Sequence, residues 1–324
     1  MSRLSTRSAG VGCAGSRAVT STRGIYGLHL GLGLLGAGTS ALGLAIVLDA
    51  LSLQVPSGES LARACRILVL PRPSVGSVLL LAMAGIGSTV LLLAVRSAVR
   101  QVVATRRLLA ALEPVWPARC RPPGAIVFSG ATPRAFCAGL LRPRIYLSSA
   151  ALVVLRRQEL DAILAHEEHH VRRQDPFRLF VARIFADALF FLPILRRLAE
   201  RYAALAEIAA DDAAVRRSGD PATLASALLA FEGHPGPGAV GIAPERVDHL
   251  LGDRIGWRFP VTLLSLAILT VAGLLVLAFG AATAGPISLP LVTAQACMSF
   301  MIIFPVLVCA LLLRSRRMFR VARR

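Results

Sequence analysis

The chain is 324 residues long, 55% hydrophobic and only 17% charged, yet its formal net charge is +18. A mean hydropathy of +0.66 is high for a soluble protein and points first to membrane spans. There is no lysine, so the whole basic excess is arginine, and an Ala- and Arg-rich chain of this kind fits a GC-rich bacterial genome. The charge raises nucleic acid as a partner, but arginine crowds the flanks of the apolar runs, as the positive-inside bias requires. With no finger, helix-turn-helix or RNA-binding signature present, no nucleic-acid partner is expected. The cysteines Cys13, Cys65, Cys120, Cys137, Cys297 and Cys309 form no CxxC pair, so neither a disulfide framework nor a cysteine zinc site is implied.

Residues 1–23 are polar, rich in Ser, Thr and Arg, and predict a disordered basic tail. A charge-free run from Gly24 to Leu48 follows, too long for a signal-peptide core and without a cleavage site, so it reads as an uncleaved span. Gly27 and Gly31 give it a GxxxG spacing, a face that would suit a homodimer. The loop 54–74 carries Pro56, Pro71 and Pro73, and a second charge-free run covers Val75 to Val95. Two more apolar runs lie at Phe259 to Ala284 and Ile287 to Leu313, before an arginine-rich tail. Each run exceeds the roughly 20 residues needed to cross a bilayer. Four transmembrane helices are therefore expected, with both termini and the central region on the cytoplasmic side of a bacterial plasma membrane.

The central region has its own pattern. Residues 125–129, 135–139 and 144–147 are short, β-prone and separated by Pro and Gly, which predicts a small antiparallel sheet. Apolar residues recur at helical spacing from Arg156 to Arg173 (Leu160, Ile163, Leu164, Val171), and Pro176 punctuates the helix. Further helices are expected over 197–217 and 223–231, then a Gly- and Pro-rich loop over 233–244.

Residues 166–170 read His-Glu-Glu-His-His, an HExxH motif. His166 and His170 are four apart, so both imidazoles leave one helix face, a spacing that suits two nitrogen ligands on one tetrahedral zinc. Glu167 can reach a water on that metal and take its proton as general base. His169 sits about 100° around the helix from His170 and is expected at the surface or in support of the site rather than as a ligand. A catalytic zinc wants a third protein ligand. Glu207 is the candidate, with Asp211 four residues on placed to accept a hydrogen bond from a ligand imidazole. An ordinary acidic helix face is the competing explanation for that pair. Residues 176–195 are strongly apolar, but a full crossing there would put the histidines and Glu207 on opposite sides of the membrane. A buried, re-entrant or interfacial helix is expected instead.

GLLRPRIYLSSA at 139–150, ELDAILAHEEHHVRRQDP at 159–176 and AEIAADDAAV at 206–215 resemble the BlaR/MecR-type membrane zinc peptidases. ERVDHLL at 245–251 is similar to a further segment of that family. The resemblance implies an α-helical membrane protein with an α+β, zincin-like catalytic domain of the gluzincin kind. It implies Zn2+ on His166, His170 and Glu207, Glu167 as base, and Asp211 in support. It also implies a protein substrate, such as a transcriptional repressor or the chain itself. The expected layout is a tail (1–23), two spans (24–98), a cytoplasmic zinc peptidase domain (99–257), two spans (258–313) and a tail (314–324). Only residues 314–324 follow the last apolar run, and an SxxK motif would need a lysine, so the family's C-terminal penicillin-binding sensor is not expected. A housekeeping protease of the HtpX or CaaX-processing type shares the motif and the downstream Glu-xxx-Asp. A non-catalytic receptor or scaffold is a third reading, against which the intact Glu167 argues.

Overall fold

A computed structural model describes residues 14–52, 75–115, 124–232, 246, 257, 259–283 and 287–288. In chain order the elements are helix α1 (Ala14–Ala50), strand β1 (Leu51–Ser52), α2 (Val75–Ala110), β2 (Ala125–Phe128), β3 (Ala135–Ala138) and β4 (Arg144–Ser148). Then come α3 (Ser149–Val154), α4 (Arg157–Arg173), α5 (Asp175–Ala188), α6 (Ile194–Ser218), α7 (Pro221–Glu232), α8 (Val261–Ala282) and β5 (Ile287–Ser288). The expected loops 54–74 and 233–244, the fourth span beyond Ser288 and the C-terminal tail lie outside the described residues.

The chain divides into two compact units, one of Met1–Gly38 with Thr89–Val271, the other of Thr39–Ser88 with Ala272–Arg324. Among the described residues three helical stretches are long and apolar enough to cross a membrane: Thr22–Asp49, Val78–Ala110 and Val261–Ala282. Large apolar side chains such as Leu92, Val276 and Phe279 stand exposed on them, which an aqueous surface would penalise and lipid would not. Two boundaries differ from the sequence reading. Helix α1 begins at Ala14, so residues 14–23 are helical rather than part of a disordered tail. Helix α2 runs on past Val95 to Ala110, because Arg, Ala, Leu and Gln are good helix formers and no proline intervenes before Pro114.

In the smaller unit the helices approach at glycines: a Cβ on Gly43 would meet Met83 Sδ at 3.0 Å, and one on Gly87 the Leu44 Cβ at 3.2 Å. In the larger unit a three-stranded sheet has the order β2-β4-β3. The expectation of an antiparallel sheet is corrected here. β3 and β4 are antiparallel, but β2 and β4 are parallel. The chain leaves β2, crosses to the far edge to form β3, and turns back between them; Gly139, at φ 112°, opens that last turn. The alternation of apolar residues sets which face of a strand is buried, not which strand lies beside it.

α4 lies across one face of this sheet and packs chiefly on α6, with α7 behind. The core there holds Leu147, Leu155, Ile163, Ala214 and Leu224. The backbone N–H of Arg156 donates to Glu159 Oε2 at 2.8 Å, one arm of a capping box that starts α4. Glu159 is anchored in turn by Ser226 Oγ of α7 at 2.6 Å. α4 stops at Gln174, whose left-handed φ of 55° is the one positive value outside glycine among the described residues. Pro176 then starts α5. α5 has 14 residues, about 21 Å of helix against the ~30 Å hydrocarbon core, so it does not span. It is held to α2 by Ser97 Oγ donating to Asp187 Oδ2 at 2.6 Å.

Candidate metal centre

α4 presents His166 and His170 on the face turned toward α6, and α6 presents Glu207 and Asp211, each pair one helical turn apart. The two Nε2 atoms are 3.3 Å apart. Glu207 reaches them with separate oxygens, Oε2 at 3.5 Å from His166 Nε2 and Oε1 at 3.6 Å from His170 Nε2. These three residues form a group able to hold a metal ion. Ligands at about 2.0–2.1 Å around a tetrahedral zinc stand about 3.3–3.4 Å apart, so the triangle has the edge length that ion needs. Both histidines are buried while Glu207 is 42% exposed, which leaves the centre open on the carboxylate side.

Each histidine has an acid behind its other nitrogen. Asp211, fully buried, places Oδ1 3.0 Å from His166 Nδ1, though off the line of a good hydrogen bond. Asp175 Oδ2 lies 2.9 Å from His170 Nδ1. Asp175 also accepts from Tyr202 Oη at 2.7 Å. Arg246 donates to both oxygens of Asp211, at 2.6 and 2.8 Å, and its Nη1 lies 3.3 Å from Glu207 Oε2. Glu167 is buried beside the first histidine.

The electrostatics follow from that packing. Burial disfavours the His166 imidazolium, but the carboxylates of Asp211 and Glu207 outweigh it and raise its pKa. Burial raises the Glu167 carboxyl against the pull of His166 and His170. The Cys137 thiol on β3 is pushed up to about 12 by burial and by the charges of Glu167 and Asp175, so it is inert as a nucleophile and marks how near β3 passes to the centre.

All five residues singled out from the sequence, His166, Glu167, His170, Glu207 and Asp211, therefore converge in one place. His169 is not a surface residue, because α4 turns it inward: it is buried, its ring edge-on to that of His170 at 6.4 Å. Burial lowers its pKa to about 4, keeping it neutral. Three neighbours were not foreseen. Asp175, five residues after His170, would sit about 140° away on an unbroken helix; the left-handed Gln174 brings it back, and Pro176 was the sign of that break. Arg246 lies in the ERVDHLL stretch without any local pattern to single it out, and nothing around Tyr202 in sequence marks it.

A family model described as BlaR1 peptidase M56 matches residues 75–254. The chain belongs to that family. The match takes in α2, the sheet and the whole His-Glu-His-Glu cluster, and it makes the chain a membrane-associated peptidase of a metallopeptidase family. No curated protein matches this member of the M56 family closely enough to be reported beside it.

Proposed function

We propose that this M56 peptidase is a zinc-dependent endopeptidase, multi-pass in the plasma membrane, that cuts a protein substrate at the cytoplasmic face. The observation that carries the reading is the triangle of His166 Nε2, His170 Nε2 and the Glu207 carboxylate, with edges of 3.3–3.6 Å that fit a tetrahedral zinc with one position open. Zinc bound there supplies a Lewis acid that polarises the scissile carbonyl and acidifies water. Asp175 holds the His170 imidazole by Nδ1 in the tautomer that turns Nε2 to the metal, and the Asp211 charge beside Nδ1 of His166 favours the same tautomer there. Glu167, its pKa raised by burial, takes the proton of the attacking water and passes it to the leaving amine.

Strand β3 suits an extended substrate. It is an edge strand among the described residues. Ser148 N–H donates to Arg134 C=O at 2.9 Å, and by antiparallel alternation the bonded pairs are then Phe136 with Tyr146 and Ala138 with Arg144. The backbone groups of Ala135 and Cys137 consequently face the open edge, ready to add a peptide strand. The cytoplasmic placement is supported by α2, whose apolar run continues as one helix through Arg96, Arg100, Arg106 and Arg107. Cleavage of a repressor or of the chain itself is the regulatory role that fits a membrane-bound site of this kind.

The test is zinc analysis of the purified full chain together with Glu167→Ala, assayed for cleavage of co-expressed candidate substrates. Metal should stay and cleavage stop. A metal-free unaltered chain, or a variant that still cuts, refutes the mechanism.

A further inference from the structure

The first apolar helix packs against a side chain two contacts away from the candidate metal centre. Tyr26, His29, Gly33 and Gly36 are spaced three, four and three apart and share one face of α1. That face lies against α5 and the turn after it at very close range. A Cβ on Gly33 would stand 2.6 Å from the Phe185 ring, and one on Gly36 2.8 Å from Leu192 Cδ1. At the end of the same face the Tyr26 ring meets the ring of Tyr202, centroids 5.0 Å apart and tilted by 43°. The Arg178 guanidinium covers Tyr26 at 5.4 Å from its centroid. Tyr202 is fully buried, and its hydroxyl donates to Asp175, which is 1% exposed and holds Nδ1 of His170. A line of direct contacts thus runs from α1 through Tyr26, Tyr202 and Asp175 to a residue of the candidate metal centre.

We propose that Tyr202 and, through it, Tyr26 are positioning residues for His170, so that the seating of α1 sets the geometry of the metal centre. The inference rests on the reading of His166, His170 and Glu207 as the metal ligands. Its physical content is narrow. Asp175 Oδ2 lies on His170 Nδ1 and Oδ1 accepts from Tyr202 at 2.7 Å, with Arg173 Nε farther off that oxygen at 3.8 Å. With the Tyr202 hydroxyl in place the carboxylate cannot rotate, and His170 is held with Nε2 toward Glu207. Tyr26 packs on the Tyr202 ring, and Arg178 touches both tyrosines, so the seating of Tyr26 bears on where the Tyr202 hydroxyl stands. A shift of α1 is transmitted to His170 through these packed groups.

The experiment measures zinc affinity of the full chain in detergent by competition with a metal chelator, alongside melting of the zinc-free protein. Tyr202→Phe leaves Asp175 on His170 but removes the bond that fixes it, so zinc should weaken about tenfold, the low end of what losing the histidine's own partner does. Tyr26→Leu should weaken it by a smaller factor, about threefold, while Tyr26→Phe, which keeps the ring, stays within about twofold. In the double variant the Tyr26→Leu effect should largely vanish, because the two act in series. Should Tyr26→Leu fail to fold, Gly33→Ala displaces α1 from outside the line of contacts and should weaken zinc in the same direction. Unchanged zinc affinity in Tyr26→Leu or Gly33→Ala, or independent multiplication of the two tyrosine effects, overturns the proposal. His170→Ala separates the two levels. If that variant binds zinc as well as the unaltered chain, the ligand assignment fails and the proposal with it; if zinc depends on His170 but ignores both tyrosines, only the proposal fails.

Discussion

Replacing Asp211 by asparagine keeps the shape of a fully buried side chain and removes its charge. The change acts on two neighbours at once. Arg246 loses the carboxylate it binds at 2.6 and 2.8 Å, and His166 loses the charge that sits 3.0 Å from its Nδ1. Breaking a buried ion pair from one side typically costs about 3–5 kcal/mol, and because Arg246 keeps Glu207 at 3.3 Å the cost here should be nearer 2–3 kcal/mol. The loss at His166 is of another kind. A ligand imidazole without its partner binds metal about 10–100 times more weakly. At a fixed excess of zinc a site thirtyfold weaker contributes about 2 kcal/mol less to the folded state. Asp211→Asn should therefore lose about 2–3 kcal/mol without metal and about 4–5 kcal/mol with it. Unfolding of the full chain in detergent, run in parallel with a chelator and with excess zinc, measures both. Equal losses in the two conditions would show that Asp211 does not act on the metal. Adding Arg246→Gln to Asp211→Asn should restore part of the zinc affinity, since a released guanidinium otherwise competes for Glu207.

Other consequences follow from the same geometry. Burial disfavours the His166 imidazolium, but Asp211 and Glu207 raise its pKa above 6.5 in the metal-free protein; that contribution to stability is fully present below about 6.5 and lost as pH rises through the raised folded value. Zinc must displace the same proton, so its affinity should climb by about tenfold per pH unit above 6.5 until His166 deprotonates, and a flat profile in chelator competition would contradict this. Gly33→Ala presses a methyl into the Phe185 ring and should cost about 1–3 kcal/mol, whereas Gly31→Ala, with nothing within 4 Å, should be neutral or stabilising by up to about 1 kcal/mol; thermal melts of the two variants that move together would argue against the close seating of α1. Cys137→Pro removes an N–H that faces the open edge of β3 while leaving its bonds to β4, so cleavage should fall with zinc content unchanged. Unaffected cleavage would remove β3 as the substrate strand.

Much of this protein is local and therefore legible along the chain. The apolar runs behind the three described spans need only length and composition, because a bilayer demands about 20 residues without charge. His166 and His170, and again Glu207 and Asp211, share faces because a helix repeats every 3.6 residues, and α4 and α6 form where that spacing places them. What the tertiary structure decided is which of these local faces meet and what stands behind them. The parallel pairing of β2 with β4 was beyond reach because alternation identifies a face and not a neighbour. Asp175 reaches His170 only because one left-handed residue, Gln174, folds the chain back on itself. Arg246 and Tyr202 approach the centre from distant segments, and Tyr26 arrives on a helix that precedes it by more than a hundred residues. Periodicity is set by neighbours along the chain, so it is written in the sequence. Support for a metal centre is set by burial among segments that meet only once the chain has packed.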